Sequence, residues 1–271
     1  MLIEMSGLTF TRQGREHPSL SGVTAALEAP MGVGLVGAAG AGKSTLLKVL
    51  AGFVPGLVPG RLEGELRLGS RPLSEYRAAE RTRLISLVFS DPARQLSGAC
   101  PTVRDELAWG LENLAVEPAH IRDRVEQVLT MTGLTHLAER SPLALSGGQQ
   151  QRVAMASVLA LQPGILLLDE PVSALDPGGV AEVTALARQL VAEGTAVIWA
   201  TPRLAEVAWC EHWWVLEGGR LTVCAQPSVE TAAGALAAPW TRLARAAGWK
   251  KALPISQDQA LEGFRQRAHR P

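Results

Sequence analysis

The sequence reads Gly37-Ala38-Ala39-Gly40-Ala41-Gly42-Lys43-Ser44-Thr45 between a short apolar run and an amphipathic one. This stretch fits the pattern G-x-x-x-x-G-K-[ST] of a phosphate-binding loop. Residues 33–36 predict a short buried strand, and the apolar spacing after the loop predicts a helix that begins near Lys43. Glycines let the backbone turn its N–H groups around an anion, and the helix dipole favours a phosphate there. We therefore predict that Lys43 contacts the outer phosphates of a nucleotide and that the Ser44 hydroxyl binds Mg²⁺.

Composition limits the classes of protein that need to be considered. The chain has 271 residues, of which 47% are apolar, so it can form one large domain or a domain with an appendage. Lys plus Arg equals Asp plus Glu at 26 each, which argues against a general nucleic-acid binder. The three cysteines lack the spacing of metal ligands and suit a reduced cytosolic interior. We expect neither a signal peptide nor a membrane-spanning segment.

Periodicity predicts an α/β fold with several parts. Residues 2–36 are β-rich and, with an alternating strand at residues 64–69, predict an antiparallel sheet. Residues 84–89 predict a central strand, and residues 96–163 have a helical pattern with a stop at Gly133. From residue 164 strands and helices alternate, which favours a parallel sheet with crossover helices, including one near 203–211. Residues 213–223 predict a hairpin in which Trp213 and Trp214 pack into the core. Beyond residue 225 we expect a final helix capped at Ser256.

A second motif places two acids directly after a buried strand. Ile165-Leu166-Leu167-Leu168-Asp169-Glu170 has four aliphatic residues followed by two carboxylates. A parallel sheet presents such acids at its carboxyl edge, where ligands bind. Asp169 is therefore the predicted Mg²⁺ carboxylate, and Glu170 is the predicted base that orients and deprotonates a water. Without the phosphate loop, an ordinary strand ending in a solvated acid pair would be the simpler interpretation.

A third motif, Leu145-Ser146-Gly147-Gly148-Gln149-Gln150-Gln151-Arg152, predicts a second helix start that can bind an anion. One nucleotide does not need two phosphate cradles from one chain unless one of them faces another subunit. Residues 145–149 resemble the signature of ATP-binding cassette (ABC) proteins, and the order of all the motifs is also theirs. The resemblance covers residues 1–224 and implies two cassettes that enclose two ATP molecules head to tail. It assigns Ser146, Gly147, Gly148 and Gln149 to the partner's nucleotide, and Ser173 and Asp176 to the loop that follows the acid pair.

A narrower resemblance concerns the segment after the central strand. Val88-Phe89-Ser90-Asp91-Pro92-Ala93-Arg94-Gln95, followed by Thr102-Val103-Arg104-Asp105-Glu106, is similar to the energy-coupling factor (ECF) and cobalt-type importer ATPases. This resemblance implies a transmembrane T subunit docked beside residues 90–110, a separate substrate-capturing S subunit, and a site on the cytoplasmic face of the membrane. It also implies that residues 225–271 are a C-terminal extension that helps two cassettes pair. Gln95 could equally line the docking groove or cap a helix.

The chain departs from the family pattern at three positions. Ser90 replaces the glutamine that reaches Mg²⁺ and the attacking water, and Pro202 replaces the switch histidine that contacts the γ-phosphate. Arg12 occupies the position of an aromatic residue that stacks on adenine, and a planar guanidinium can also stack on a base. Removing one positioned donor of this kind typically costs about 10²–10³ in rate. Either the chain's own site binds Mg-ATP but turns it over poorly, or Glu170 suffices and hydrolysis is only slowed.

The first alternative predicts an asymmetric heterodimer in which the intact signature completes a competent site on a different cassette. The expected cofactors are ATP and Mg²⁺, and the expected activity is ATP hydrolysis that drives uptake of a vitamin or a transition-metal ion. The rival interpretations are a soluble ABC ATPase, a structural subunit that supplies only a signature, and an exporter. Arg242, Arg245, Lys250 and Lys251 form either a solvated helix face or a contact with anionic lipid.

Overall fold

A computed structural model describes residues 2–224 of the chain. The strands are β1 (Leu2–Arg12), β2 (Leu20–Glu28), β3 (Gly32–Val36), β4 (Gly60–Leu68), β5 (Arg71–Pro72), β6 (Ile85–Val88), β7 (Ile165–Asp169), β8 (Ala196–Thr201), β9 (His212–Glu217) and β10 (Arg220–Cys224). The α-helices are α1 (Lys43–Leu50), α2 (Ala78–Leu84), α3 (Val103–Asn113), α4 (Pro118–Met131), α5 (Gly147–Ala160) and α6 (Pro177–Ala192). The predicted cap at Ser256 and the basic residues of the tail lie outside the described residues.

The strands form two sheets, as predicted. An antiparallel sheet has the order β2-β1-β4-β5, and a larger sheet has the order β10-β9-β3-β8-β7-β6. In the larger sheet β9, β3, β8, β7 and β6 are parallel, and β10 closes one edge as the antiparallel arm of a hairpin. The strands β3, β7 and β8 are buried along their whole length, which explains their nearly continuous apolar sequences.

Residues 96–163 contain helices, as predicted, but the α-helices of this region occupy only residues 103–160. The three helices α3, α4 and α5 pack around a core that includes Val103, Leu107 and Val153, all without exposed surface. The first of these helices begins at Val103 rather than near residue 96, because Thr102 caps it by accepting a hydrogen bond from the Asp105 N–H. Gly133, with φ of 67°, follows the end of α4 and confirms the predicted stop.

The predicted helix near 203–211 is wrong. The structure has only a 3₁₀ turn, Leu204–Val207, in that segment. The backbone hydrogen bonds there join residues three apart, from the Glu206 N–H to the Arg203 carbonyl (3.1 Å) and from the Cys210 N–H to the Val207 carbonyl (3.0 Å), which is the 3₁₀ pattern. The predicted hairpin is confirmed, and Trp213 and Trp214 are each 1% exposed, as expected for core residues.

The sheet order determines where the motifs meet. The phosphate loop follows β3, the two acids lie at the end of β7, and β8 lies between these strands. Because all three strands are parallel, their carboxyl ends lie at one edge of the sheet. The antiparallel sheet reaches the same edge, since the Ser21 N–H donates to the carbonyl of Gly219 in the turn between β9 and β10 (2.8 Å).

Candidate nucleotide-binding site

The phosphate loop lies between β3 and α1, as its sequence predicts. Gly40 and Gly42 have φ angles of 80° and 107°, which side chains with a β-carbon rarely adopt. A β-carbon on Gly37 would overlap the carbonyl oxygen of Leu216, and one on Gly42 would lie 2.7 Å from the carbonyl oxygen of Ser19. The motif therefore has glycine where the backbone needs it, and the loop forms a concave cradle lined by main chain.

Lys43 lies inside this cradle. Its Nζ donates to the carbonyl oxygens of Gly37 (2.9 Å) and Ala38 (3.0 Å), and the residue is 5% exposed. Burial lowers the pKa of Lys43, and the charges of Glu170 and Asp169 oppose that shift. The carbonyl oxygens that hold this buried ammonium carry only partial negative charges. A phosphate carries a full negative charge and would therefore form a stronger, charge-assisted hydrogen bond with Lys43.

Ser44 and Asp169 are brought together from distant parts of the sequence. The Ser44 hydroxyl donates to Asp169 Oδ1 (2.9 Å), and Asp169 is 3% exposed. Burial raises the pKa of Asp169, and the hydrogen bond from Ser44 opposes that shift. Hydroxyl and carboxylate oxygens are ligands that Mg²⁺ accepts when nucleotide phosphates supply others. Residues 2–224 contain no group of three or more His, Cys, Asp or Glu side chains that could hold a metal, so this pair fits Mg²⁺ only together with a nucleotide.

Glu170 has an unusual backbone. Its φ is 49°, which is uncommon for a residue with a β-carbon. Its N–H donates to the carbonyl of Ala200 at the end of β8 (2.9 Å), and its carbonyl accepts from the N–H of Ser173 (3.2 Å). Strained residues that neighbouring elements hold in place cluster at functional sites. The backbone of Glu170 is fixed next to Asp169, at the edge where the phosphate loop lies.

The signature residues begin α5. Ser146 and Gln149 form a capping box, in which the Ser146 N–H donates to Gln149 Oε1 (3.1 Å) and the Gln149 N–H donates to Ser146 Oγ (3.4 Å). Gly147 is exposed, and a β-carbon there would meet no neighbour within 4 Å. The helix start is therefore open to a ligand from outside.

A cleft of about 550 Å³ lies over this helix start. Its lining includes Ser146, Gly147, Gly148 and Gln149, the segment Ala174–Asp176, His136 and Arg152, and it contains no residue of the phosphate loop. Asp176 caps α6 by accepting from the Gly179 N–H (2.8 Å). The two helix starts that the sequence predicts to bind anions therefore open into different spaces.

Two of the three departures from the pattern lie at the ends of two strands of the parallel sheet. Ser90 is exposed two residues after β6, and Pro202 directly follows β8. Next to Pro202, the Thr201 hydroxyl donates to Glu206 Oε2 (2.6 Å), and Glu206 Oε1 pairs with Arg203 (3.0 Å). Burial raises the pKa of Glu206, and the charge of Glu170 adds to the shift. A second carboxylate is thus close enough to Glu170 for their charges to interact.

Two polar residues of this region were not predicted from the sequence. Glu206 lies on the 3₁₀ turn after Pro202, and Gln151 is buried on α5 at 2% exposure. Glu206 belongs to no motif, although its neighbours on both sides are apolar and could have indicated burial. Gln151 lies in the predicted helix-start motif without an assigned role, and its neighbours on both sides are polar, so the sequence gives no signal of its burial. Arg12 is exposed at the last position of β1, and its stacking on adenine stays a prediction. Gln95 contacts Phe89 and Ala154, and its role in a docking groove also stays a prediction.

Comparison with known families agrees with this geometry. A family model described as "ABC transporter" matches residues 20–173, more than half of the chain. The chain belongs to the ABC transporter ATP-binding family. Energy-coupling factor transporter ATP-binding protein EcfA1 of Levilactobacillus brevis is 36% identical over 84% of this chain and 79% of the relative. The ECF resemblance read from the sequence is therefore confirmed at the level of homology.

A second kind of relative is longer. A "putative ABC transporter ATP-binding protein" of Streptomyces avermitilis is 38% identical over 94% of this chain, and the match covers 46% of the relative. The chain therefore spans about half the length of that ABC protein.

Solved structures show the ABC cassette fold. The structure of cbiO1 from Clostridium perfringens, described as part of the ABC transporter complex cbiONQ, matches with a TM-score of 0.71 and 30% identity. That match covers 81% of this chain and 86% of cbiO1. A dimer of the ATP-binding cassette MJ0796 in a post-hydrolysis state, bound to ADP and Pi, matches with a TM-score of 0.72, 26% identity and coverage of 82% and 98%. In residues 2–224, no helix has the length and apolar character needed to cross a membrane.

Proposed function

We propose that this ABC ATPase powers an importer of the ECF type, as one half of an asymmetric pair of cassettes on the cytoplasmic face of the membrane. In this proposal the partners are a second, non-identical ATPase subunit, a transmembrane T subunit and a separate substrate-capturing subunit. The cargo is a vitamin or a transition-metal ion. Support comes from the homology to EcfA1 and from the fold shared with cbiO1. Residues 225–271 are proposed to help the two cassettes pair.

The phosphate loop and the acid pair carry the proposed chemistry. Residues 37–45 surround the phosphates with main-chain N–H groups, and Lys43 turns from the carbonyls of Gly37 and Ala38 to the outer phosphates. Ser44 and Asp169 would hold Mg²⁺, which neutralises phosphate charge when it is bound. Glu170 orients an attacking water and takes its proton. The hydrogen bond to Ala200 fixes the Glu170 main chain, which limits the positions that its carboxylate can take.

The asymmetric arrangement is supported by the contrast between the complete signature of this chain and its own nucleotide site, which lacks two expected side chains. The signature cleft has its serine, both glycines and its capping glutamine. In the chain's own site, Ser90 is too short to reach a water and metal, and Pro202 has neither a side-chain donor nor an N–H. A homodimer of this chain would contain two impaired nucleotide sites. A heterodimer contains one competent site, formed by this signature and the partner's phosphate loop.

The docking site of the T subunit is proposed to lie beside residues 90–110. Trp109 on α3 is 45% exposed, which is unusual for so large an apolar side chain. The loop before α3 is held in place by Glu106, a residue 4% exposed, whose carboxylate accepts from the N–H and the hydroxyl of Ser97 (both 2.7 Å). An exposed aromatic residue next to an ordered loop is typical of a protein interface.

Affinity purification tests this function. The tagged chain is recovered from detergent-solubilised membranes of its source, and co-purifying proteins are identified by mass spectrometry. A different cassette together with a polytopic subunit is the expected result. Recovery of the chain alone from the soluble fraction would contradict the transporter proposal and favour a soluble ABC ATPase.

A second candidate function is a structural subunit that only supplies a signature and a docking surface. The substitutions at Ser90 and Pro202 favour this candidate. ATP hydrolysis by the purified complex is measured with wild-type chain and with Glu170→Gln, and a loss of hydrolysis in the variant excludes the structural subunit. Unchanged hydrolysis agrees with both functions, because the competent site then uses the acid of the partner. Binding of Mg-ATP to this chain separates them in that case, since a subunit that only supplies a signature does not need to bind nucleotide.

A further inference from the structure

The main chain of Phe89 is held on both sides of its Cα by glutamine side chains. The Phe89 N–H donates to Gln95 Oε1 (3.0 Å), and the Phe89 carbonyl accepts from Gln151 Nε2 (3.1 Å). Gln95 Nε2 in turn donates to the carbonyl of Ala154 (3.1 Å). Gln151 and Ala154 both belong to α5, so both hydrogen-bonded paths from Phe89 end on the helix that begins with the signature. We call Gln95, Gln151 and the main chain of Phe89 the glutamine clamp.

The side chain of Phe89 points to a different helix. Its ring stacks on Phe53, with centroids 5.9 Å apart and planes 23° from parallel. The Phe53 N–H donates to the carbonyl of Lys48 (2.9 Å), so Phe53 is fixed to the C-terminal end of α1. This is the helix whose N-terminus holds Lys43 and Ser44. Phe89 therefore connects the helix of the chain's own nucleotide site with the helix of the signature.

Gln151 is an unexpected residue for the centre of this contact. It is 2% exposed, and its Oε1 atom has no hydrogen-bond partner among residues 2–224. A methionine would fill a similar volume without leaving a buried acceptor unpaired. The amide is thus poorly explained by packing, and its single hydrogen bond to Phe89 is the contact that distinguishes it from an apolar residue.

We propose that Gln95 and Gln151 are positioning residues that transmit occupancy of this chain's phosphate loop to its signature helix. The proposal rests on the proposed function in one respect, namely that α5 serves the partner's nucleotide. Ser90 cannot make the contacts to Mg²⁺ and water that a glutamine makes at this position in the family. The clamp uses the main chain of Phe89, so it does not depend on the side chain at position 90. Mg-ATP bound in this chain's own nucleotide site then sets the position of Ser146 through Phe89. This chain's site therefore influences the competent site even though it hydrolyses ATP slowly.

Hydrogen exchange of the full-length chain tests this inference without a partner. Amide exchange at the start of α5 is measured by mass spectrometry with and without Mg-ATP, at a concentration where light scattering reports a monomer. In the wild type, Mg-ATP is expected to slow exchange there at least about threefold. Gln151→Met and Gln95→Met are expected to abolish this response, while the Kd for Mg-ATP changes less than about twofold, because neither residue belongs to the phosphate loop.

Gln150→Met is the matched control. Gln150 lies next to Gln151 on α5, and its Nε2 donates to the carbonyl of Pro142 over the same 3.1 Å, without touching Phe89. This variant is expected to keep the wild-type response, which a general loosening of α5 would not allow. Thermal melting identifies a variant that fails to fold, and the other glutamine, which makes different hydrogen bonds, then decides the test.

The outcomes distinguish the two proposals. If the wild type does not bind Mg-ATP, the proposed function itself fails. If it binds Mg-ATP but α5 does not respond, or if Gln151→Met and Gln95→Met respond like the wild type, the glutamine clamp is not the connection and the inference is overturned. An equal loss of the response in Gln150→Met would also overturn it, because the effect would then belong to the helix as a whole.

Discussion

Ser44 and Asp169 are 125 residues apart in the sequence, and the hydroxyl of the first donates to the carboxylate of the second over 2.9 Å. Ser44 lies in the first turn of α1 and Asp169 ends β7, and the helix packs against this strand. Both oxygens that we expect to bind Mg²⁺ are therefore already adjacent before a nucleotide enters. A site organised in this way loses little conformational entropy on binding.

Removing the Ser44 hydroxyl is expected to eliminate the metal dependence of ATP binding. Ser44→Ala should raise the Kd for ATP in the presence of Mg²⁺ by about 10–100-fold, because a hydrogen bond or ligand contact to a charged group contributes about 1.5–3 kcal/mol. Affinity without Mg²⁺ should stay close to the wild type. Ser157→Ala on α5 is the control, since within residues 2–224 Ser157 bonds only to the carbonyl of Ala154. Equal metal dependence in Ser44→Ala and the wild type would remove Ser44 from the site.

The charge of Asp169 is expected to destabilise the protein when nucleotide and metal are absent. Burial raises the folded-state pKa of Asp169 above 3.8, so the folded chain binds a proton more readily than the unfolded chain. The free energy of unfolding contributed by this group therefore falls as pH rises from about 3.8 through the folded pKa. Asp169→Asn should be more stable than the wild type near neutral pH and show a smaller difference near pH 4, by urea unfolding. If Asp169→Asn were less stable than the wild type at neutral pH, the expected destabilising effect of the Asp169 charge would be wrong.

Gly37 is expected to tolerate no side chain. Gly37→Ala should lower the free energy of unfolding by about 1–3 kcal/mol, since the added carbon overlaps a backbone carbonyl that cannot rotate away. The same variant should lose most of its ATP affinity, because the loop must open to relieve the overlap. Gly56→Ala is the matched control, as a β-carbon there meets nothing within 4 Å, and its stability should change by less than about 0.5 kcal/mol. Urea unfolding and ATP titration measure both effects.

Asp176 is expected to contribute to stability through its cap on α6. Asp176→Ala should cost about 1 kcal/mol, because it removes the acceptor of the Gly179 N–H, whereas Asp176→Asn should keep most of the wild-type stability. Urea unfolding of the two variants compares them directly. If Asp176→Asn is as unstable as Asp176→Ala, the charge rather than the cap is responsible.

The sequence predicted those parts of the site that have a local pattern. The phosphate loop, the acids at the end of β7 and the helix start at Ser146 each occupy a few consecutive residues, so composition and spacing are enough to find them. The two sheets also follow from alternation and from the order of the elements.

The remaining features depend on contacts across the fold. Gln151 bonds to a carbonyl 62 residues away, and nothing in the spacing around either residue indicates that contact. The predicted helix near 203–211 failed because buried residues three apart, such as Leu204 and Val207, fit an α-helix and a 3₁₀ turn equally well, and only the hydrogen bonds of the folded chain distinguish the two. Glu206 was missed for the same reason, since its importance comes from its proximity to Thr201 and Glu170.

Restoring the two missing side chains is expected to restore hydrolysis in the chain's own site. Wild-type chain purified alone should hydrolyse ATP slowly, and Pro202→His combined with Ser90→Gln should raise the rate by about 10²-fold, because a donor to the γ-phosphate and a ligand to the water return together. Pro202→Ala with Ser90→Ala is the control and should give no increase, since it removes the proline ring without adding a donor. Adding Glu170→Gln to the restored variant should abolish the gain, which ties the activity to the acid after β7. A wild-type chain that already works at an ordinary transporter rate would contradict the impaired site, and so would a restored variant that stays inactive while it binds Mg-ATP normally. In either case the asymmetry of the pair would need a cause other than Ser90 and Pro202.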